Sequence, residues 1–273
     1  MPFLHIAILA LIQGVTEFLP ISSSGHLVLV PWLVGWEDQG VTLDVAVHVG
    51  TLGAVMLYLW RDIANILTGL GRMIKGKGID DGARLAFFLV LATLPVIGAG
   101  YWMHKAMPDG IRSIEVIGWA TLGFGVVLWL GDRLGVTLRR MEHLRISDVL
   151  MIGVSQCLAL IPGTSRSGIT MAVGRFLGME RPDCARFSML LSIPAIVGAG
   201  VLKGLDLYKS GDVVQISTAL TGIGLSFISA LIAIALMMSW LRRASFTPFV
   251  LYRIVLGAGL LAIAYGYVSL PTV

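Results

Sequence analysis

The sequence predicts an all-α integral membrane protein: six transmembrane helices plus two re-entrant broken-helix hairpins in an inverted-topology repeat, all within one membrane domain, residues 1–273. Three observations carry this prediction. The chain is 56% hydrophobic and only 13% charged, against roughly 25% charged residues in an ordinary soluble domain. Apolar runs of spanning length, about 20 residues, recur to its end and leave no soluble domain of useful size. Finally, two short segments half a chain apart repeat one pattern. Gly14-Val15-Thr16-Glu17 leads through Leu19 and Pro20 into Ser22-Ser23-Ser24-Gly25-His26, and Gly153-Val154-Ser155-Gln156 leads through Leu158 and Pro162 into Thr164-Ser165-Arg166-Ser167-Gly168. Each is an apolar stretch broken by proline and then by a hydroxyl-rich turn closed with glycine. Within a bilayer such a break is tolerated only where the backbone is buried in protein or lines a wet cavity. The breaks therefore mark the working site.

Taken in order, the first element is the first broken segment. No Lys or Arg precedes Arg61, so the basic start of a cleavable signal peptide is missing and this segment is expected to stay in the mature protein. Crossings follow at about 42–60, 85–103 and 114–131, then the second broken segment, then crossings at about 187–202, 214–240 and 248–268. Repeat 1 covers about 1–135 and repeat 2 about 147–273. Alternating the loops gathers Arg61, Arg72, Lys75, Lys77, Arg84, Arg133, Arg139, Arg140, Arg145, Arg175, Arg181, Arg186, Arg242 and Arg243 on one face. The other face holds little beyond Lys105, Arg112, Lys203 and Lys209. The richer face is expected to be cytoplasmic. The assignment closes only if both broken segments dip in and return, the first from outside and the second from the cytoplasm, with both chain ends outside. Each half is then one hairpin plus three crossings. Three is odd, so the halves are inverted, which places a site at their interface near the midplane.

Smaller features agree with a membrane reading. Trp60, Trp102, Trp129 and Trp240 fall near span ends, where indoles meet headgroups, and the 33 glycines suit close helix approach in lipid. Cys157 and Cys184 are isolated and read as packing residues. The net charge of +4 is spread over short loops, so membrane topology accounts for it and nucleic acid is not a partner.

At each tip the turn runs into an apolar half-helix, about 25–36 and 169–177. A helix start offers unpaired N–H groups and prefers an anion. Ser22, Ser23, Ser24, Thr164, Ser165 and Ser167 add short donors, with Gly25 and Gly168 closing the turns. Arg166 adds a permanently charged fork that matches phosphate oxygens. Together these make a site for phosphate, and for more than one. Any single hydroxyl could instead be a simple N-cap, but Arg166 and Glu17 at membrane depth are functional by default. Glu17 requires a cation, a metal or a proton beside it, and His26 adjoins the phosphate-type turn. Asp44 and His48, four apart on one helix face, read as a hydrogen-bonded lining pair. Arg253, beside Tyr252 at the start of the last span, reads as snorkelling towards cytoplasmic headgroups.

The segments Gln13-Gly-Val-Thr-Glu-Phe-Leu-Pro-Ile-Ser-Ser-Ser-Gly-His26, Pro162-Gly-Thr-Ser-Arg-Ser-Gly168 and Ser245-Phe-Thr-Pro-Phe-Val-Leu-Tyr-Arg253 together resemble the undecaprenyl-pyrophosphate phosphatase family, associated with bacitracin resistance. The resemblance runs the length of the chain. It implies removal of one phosphate from undecaprenyl pyrophosphate, a lipid substrate, to recycle the carrier of peptidoglycan and other envelope polymers. It also implies a divalent metal, Mg²⁺ or Ca²⁺, and a place in the bacterial inner membrane with the site open to the periplasmic face. By position it carries over Glu17, Ser23, His26, Ser165 and Arg166. One departure is Gln13, where many members carry glutamate. Glu17 is left as the principal metal ligand, with Gln13 the candidate second.

Pyrophosphate hydrolysis chiefly demands positioning and charge neutralisation. Arg166 and the helix starts would hold the phosphates, and a hard ion on Glu17, keeping several waters, would offset charge. Ser23 with His26 three residues on makes a nucleophile and base. Attack by metal-bound water or by His26 itself is equally compatible. Paired broken helices are also a transporter signature, so carriage of an anionic lipid phosphate is the alternative; a carboxylate beside the ligand argues for chemistry instead. The oligomeric state, homo-oligomer included, is left open.

Overall fold

The computed structural model of the protein describes residues 2–36, 39–107, 113–210 and 212–268; Arg112, counted above on the outer face, lies outside them. Eleven α-helices run in order through the described residues: α1 (Phe3–Thr16), α2 (Ser23–Val34), α3 (Gly40–Tyr58), α4 (Trp60–Ile74), α5 (Asp81–Ala106), α6 (Ile114–Leu134), α7 (Ile146–Gln156), α8 (Arg166–Phe176), α9 (Arg181–Ser210), α10 (Val213–Leu241) and α11 (Thr247–Ala264). Six are long and apolar enough to cross a membrane, over Gly40–Tyr58, Asp81–Met103, Ile114–Leu134, Arg181–Val201, Val213–Leu241 and Thr247–Ala264. These are the six predicted crossings. The protein is an all-α, multi-pass membrane protein.

The remaining apolar helices come in two pairs, α1–α2 and α7–α8. The longest of the four, α1, has 14 residues, about 21 Å at 1.5 Å per residue, which is short of a hydrocarbon core about 30 Å thick. Proline sets both interruptions. The ring of Pro20 would clash with the carbonyl four residues back and brings no N–H, and α1 stops at Thr16. In the second pair a 3-10 turn at Cys157–Leu160 ends at an extended Ile161, the conformation that a following proline favours.

Both broken segments restart in the same way. Ser22 (φ 74°) and Ser165 (φ 69°) are the two non-glycine residues with positive φ among the described residues. Each caps its helix by accepting the N–H three residues on, from Gly25 and Gly168 respectively. A serine in this region is strained by about 1–3 kcal/mol, a cost that clusters at functional sites.

Packing follows one order in both halves. α1 and α3 lie against α10 as α7 and α9 lie against α5, while α3 meets α9 and α6 meets α11. The first glycine of each repeated segment sits at a close contact of this kind. A Cβ on Gly14 would sit 1.8 Å from Ser229 Oγ of α10, and one on Gly153 would sit 2.6 Å from the Ala92 carbonyl of α5. Helices in lipid associate through such close approach.

Two features differ from expectation. The basic stretch after the first crossing contains α4, an amphipathic helix with Asp62 and Gly69 buried and Trp60, Leu67 and Ile74 exposed. Its fifteen residues, interspersed with charge, fall below the length that marks a span. The Arg186 guanidinium of α9 grips the Asp62 carboxylate with two hydrogen bonds, from Nε at 2.9 Å and from Nη2, and so ties α4 to the bundle. Arg175, counted as a loop charge, is buried at 1% exposure. It pairs with Asp132 at 3.3 Å and donates to the Gly135 carbonyl at 2.9 Å.

Gly153→Val overfills the α7–α5 contact and is expected to cost about 1–3 kcal/mol, read as a lower thermal midpoint in detergent. An unchanged midpoint would mean that α7 can move away from α5 freely.

Candidate active site

The two breaks meet. Glu17, one residue past the end of α1 and 7% exposed, is the centre of the contact. Its Oε1 accepts from Arg166 Nη2 at 3.0 Å, and its Oε2 accepts from Ser23 Oγ at 2.6 Å and from Gln13 Nε2 at 3.0 Å. Ser23 and Arg166 are each the first residue of a restarted helix, α2 and α8. The second Arg166 arm donates to the Ser188 carbonyl of α9 at 3.1 Å. One carboxylate thus holds together residues about 150 positions apart.

The partner of Ser23 corrects the sequence reading. His26 does not serve it: Nδ1 donates to the Ser22 carbonyl at 2.6 Å, and Nε2 lies 2.5 Å from the Tyr252 hydroxyl. Because the carbonyl can only accept, the proton of a neutral ring sits on Nδ1 and Nε2 receives the tyrosine proton. The rings also stack, with centroids 5.7 Å apart. Since Ser22 makes the cap, the Ser23 hydroxyl is free to turn back to Glu17.

The other predicted residues divide into two groups. Ser22, Ser23, Ser24, Ser165 and Arg166 line a cavity of about 350 Å³ with Glu17. Thr164 and Ser167 are buried away from it. Ser167 Oγ donates across the interface to the Leu19 carbonyl at 2.9 Å, so it fastens one break to the other. Gly25 and Gly168 supply the capped N–H groups. A Cβ on Gly168 would lie 3.1 Å from Ser165 Cβ and 3.2 Å from Arg253 Nη1, so a side chain there would crowd both. Gln13 donates through Nε2 to Glu17; its buried Oε1 has no hydrogen-bond partner among the described residues, and it does not line the cavity.

Three residues join the site that sequence reasoning placed elsewhere or passed over. His48 bonds through Nδ1 to the backbone carbonyl of Asp44 at 2.6 Å, while the Asp44 carboxylate accepts from Gln39 at 2.7 Å. The helical spacing was legible, but the bond is not the acid–imidazole pair expected. His48 Nε2 instead lies 3.5 Å from Glu17 Oε2. Gln156, the repeat counterpart of Glu17, lines the cavity with an Oε1 that has no hydrogen-bond partner among the described residues.

Arg253 is the largest correction. It does not snorkel: it is 0% exposed and, among the described residues, donates only to backbone carbonyls. Nε reaches Thr121 at 3.0 Å, Nη1 reaches Pro20 at 3.2 Å, and Nη2 reaches Ala120 at 3.4 Å and both Gly163 and Thr164 at 2.9 Å.

The cavity floor is thus hydroxyl, carboxylate and guanidinium, and its walls are apolar, with Val45, Val96, Leu160 and Ile196. Such a cavity suits a phosphorylated amphiphile. The Glu17–Ser23 contact supplies a hydroxyl whose proton already has an acceptor.

Comparison with known proteins agrees with this chemistry. The model of the family described as bacitracin resistance protein BacA matches residues 6–259. The undecaprenyl-diphosphatase 1 of Rhodospirillum rubrum is 54% identical over 272 residues, covering 97% of this chain and 96% of its own length. The undecaprenyl-diphosphatase of Ruegeria pomeroyi is 51% identical, with 97% and 100% covered, and that of Hahella chejuensis is 50% identical, with 97% and 99% covered.

The shared carboxylate makes Glu17 and Arg166 energetically dependent on each other. Glu17→Ala and Arg166→Ala together are expected to destabilise by less than the sum of the two single changes, with a coupling of about 1–3 kcal/mol. Strict additivity in thermal or denaturant unfolding would dissolve the pair.

Proposed function

The chain belongs to the bacitracin resistance protein BacA family, and we infer that it hydrolyses undecaprenyl pyrophosphate to undecaprenyl phosphate and inorganic phosphate. One observation carries the reading beyond resemblance: Ser23 Oγ lies 2.6 Å from Glu17 Oε2, at a helix start inside a cavity with a polar floor and apolar walls. Carriage of an anionic lipid would make no use of a hydroxyl aimed at a buried carboxylate.

The residues divide the work as follows. Ser23 attacks the terminal phosphorus while Glu17 accepts its proton. The bridging P–O bond breaks and undecaprenyl phosphate leaves, with phosphate held on Ser23. Water then cleaves the phosphoserine, and the serine proton returns from Glu17. Proton arrival on Glu17 removes the charge that holds Arg166 Nη2, so the guanidinium becomes free for the phosphate oxygens at the moment when charge there must be stabilised. The N-termini of α2 and α8 add backbone dipoles of the same sense. His26 and Tyr252, bound to each other, brace α2 against α11 and move no proton in this scheme.

A divalent ion, Mg²⁺ or Ca²⁺, fits the donors present. Among the described residues Glu17 Oε1 takes a single hydrogen bond and the buried Gln156 amide oxygen takes none, while the His48 imidazole stands beside Glu17. Glu17 and Gln156, oxygen donors of the cavity, would hold the ion. Among the described residues no three His, Cys, Asp or Glu converge, so the phosphates and water would complete its shell. When bound, it neutralises phosphate charge.

We assign the protein to the bacterial inner membrane with the site open to the periplasmic face, and both broken pairs to re-entrant hairpins entering from opposite sides. The support is the uneven Lys and Arg distribution, together with four helices too short to cross whose breaks meet.

The direct test is phosphate release from undecaprenyl pyrophosphate by the purified protein, with and without chelator. Ser23→Ala is expected to retain less than about a tenth of the activity if serine attacks, whereas loss of one hydrogen bond alone would cost about 1 kcal/mol, or several-fold. Arg166→Lys keeps the charge but not the fork. It is expected to lose at least about tenfold in kcat, and near-normal turnover in it would remove the clamp role.

A further inference from the structure

Arg253 is a cation at 0% exposure that no carboxylate meets among the described residues. All its bonds go to carbonyls, and these belong to three segments: Pro20 in the first break, Gly163 and Thr164 in the second, and Ala120 and Thr121 of α6. It does not line the cavity, yet its Nη1 would be 3.2 Å from a Cβ on Gly168 in the first turn of α8. The guanidinium therefore lies behind the helix starts, on the side away from the ligand.

We propose that Arg253 is a positioning residue: it locks both broken segments in one register and draws their carbonyls to itself, leaving a positive charge behind the phosphate site. A break exposes carbonyls along with N–H groups, and carbonyl dipoles turned towards a pyrophosphate would repel it. Arg253 holds three of those carbonyls. Its charge, without a carboxylate nearby, acts on the anion through a water-poor interior where it is weakly screened. Only a planar fork can reach acceptors in three directions at once, and a lysine ammonium cannot span them.

The inference rests on reading the tips as a phosphate site, and the experiment separates the two. Arg253→Lys and Arg253→Gln are compared with the wild type for thermal midpoint, kcat and KM on undecaprenyl pyrophosphate, and calorimetric binding of inorganic pyrophosphate. Lysine keeps the charge but loses the register, so kcat is expected to fall about tenfold or more while pyrophosphate affinity stays within about threefold. Glutamine loses both, so affinity is expected to fall about tenfold as well. Either variant keeping kcat within about twofold of the wild type overturns the proposal. So does equal weakening of pyrophosphate binding in both, since the charge would then have no role. Failure of both variants to fold would also overturn it, making Arg253 a purely structural residue. A wild type that binds pyrophosphate but releases no phosphate, with binding lost in Arg253→Gln, would refute the hydrolase reading and leave this one standing.

Discussion

Backbone polar groups without partners are the constraint from which this structure follows. An interrupted helix in a bilayer leaves N–H groups at its restart and carbonyls at its end, each costing several kcal/mol if left in hydrocarbon. Carbonyls of both breaks, those of Pro20, Gly163 and Thr164, are drawn onto one guanidinium, that of Arg253. The restarts are capped by serines in an uncommon backbone conformation, Ser22 and Ser165. Ser167 and Leu19 tie break to break. Once these needs are met, the two helix starts line one cavity, and the candidate site results from the solution of a solvation problem.

The two repeated segments share their scaffold and differ in their chemistry. Gly14 and Gly153 make the same close contact with a crossing helix, and Ser22 and Ser165 the same cap. At the positions that face the cavity the halves diverge: Glu17 against Gln156, and Ser23 against Arg166 at the first residue of each restarted helix. One half brings the acid and the hydroxyl, the other the cation.

Much of this was legible in the sequence, because composition and run length report burial in lipid directly. The six crossings, the two breaks and the residues at their tips needed no long-range information. What failed needed knowledge of which distant atoms meet. His26 seemed the base for Ser23 because it is three residues away, but the turn sends Ser23 back to Glu17 and His26 across to Tyr252. Arg253 looked like a snorkelling cation because it sits near the start of a span, and its acceptors lie 89 to 233 residues away. Helix α4 was hidden by its mixed polarity, which marks neither a crossing nor a loop.

Arg253 also has a bearing on the order of assembly. A chain made from its N-terminus exposes the first break early and the second midway, and domains begin folding before synthesis ends. The residue that gathers the carbonyls of both belongs to α11, the latest of these helices to leave the ribosome. Until then each broken segment carries carbonyls that await the guanidinium, and the two are joined through the Ser167–Leu19 and Arg166–Glu17 bonds. Completion of the paired breaks is thereby deferred until α11 is made, and a nascent chain stalled before it holds Glu17, Ser23 and Arg166 without the guanidinium that gathers the carbonyls behind them.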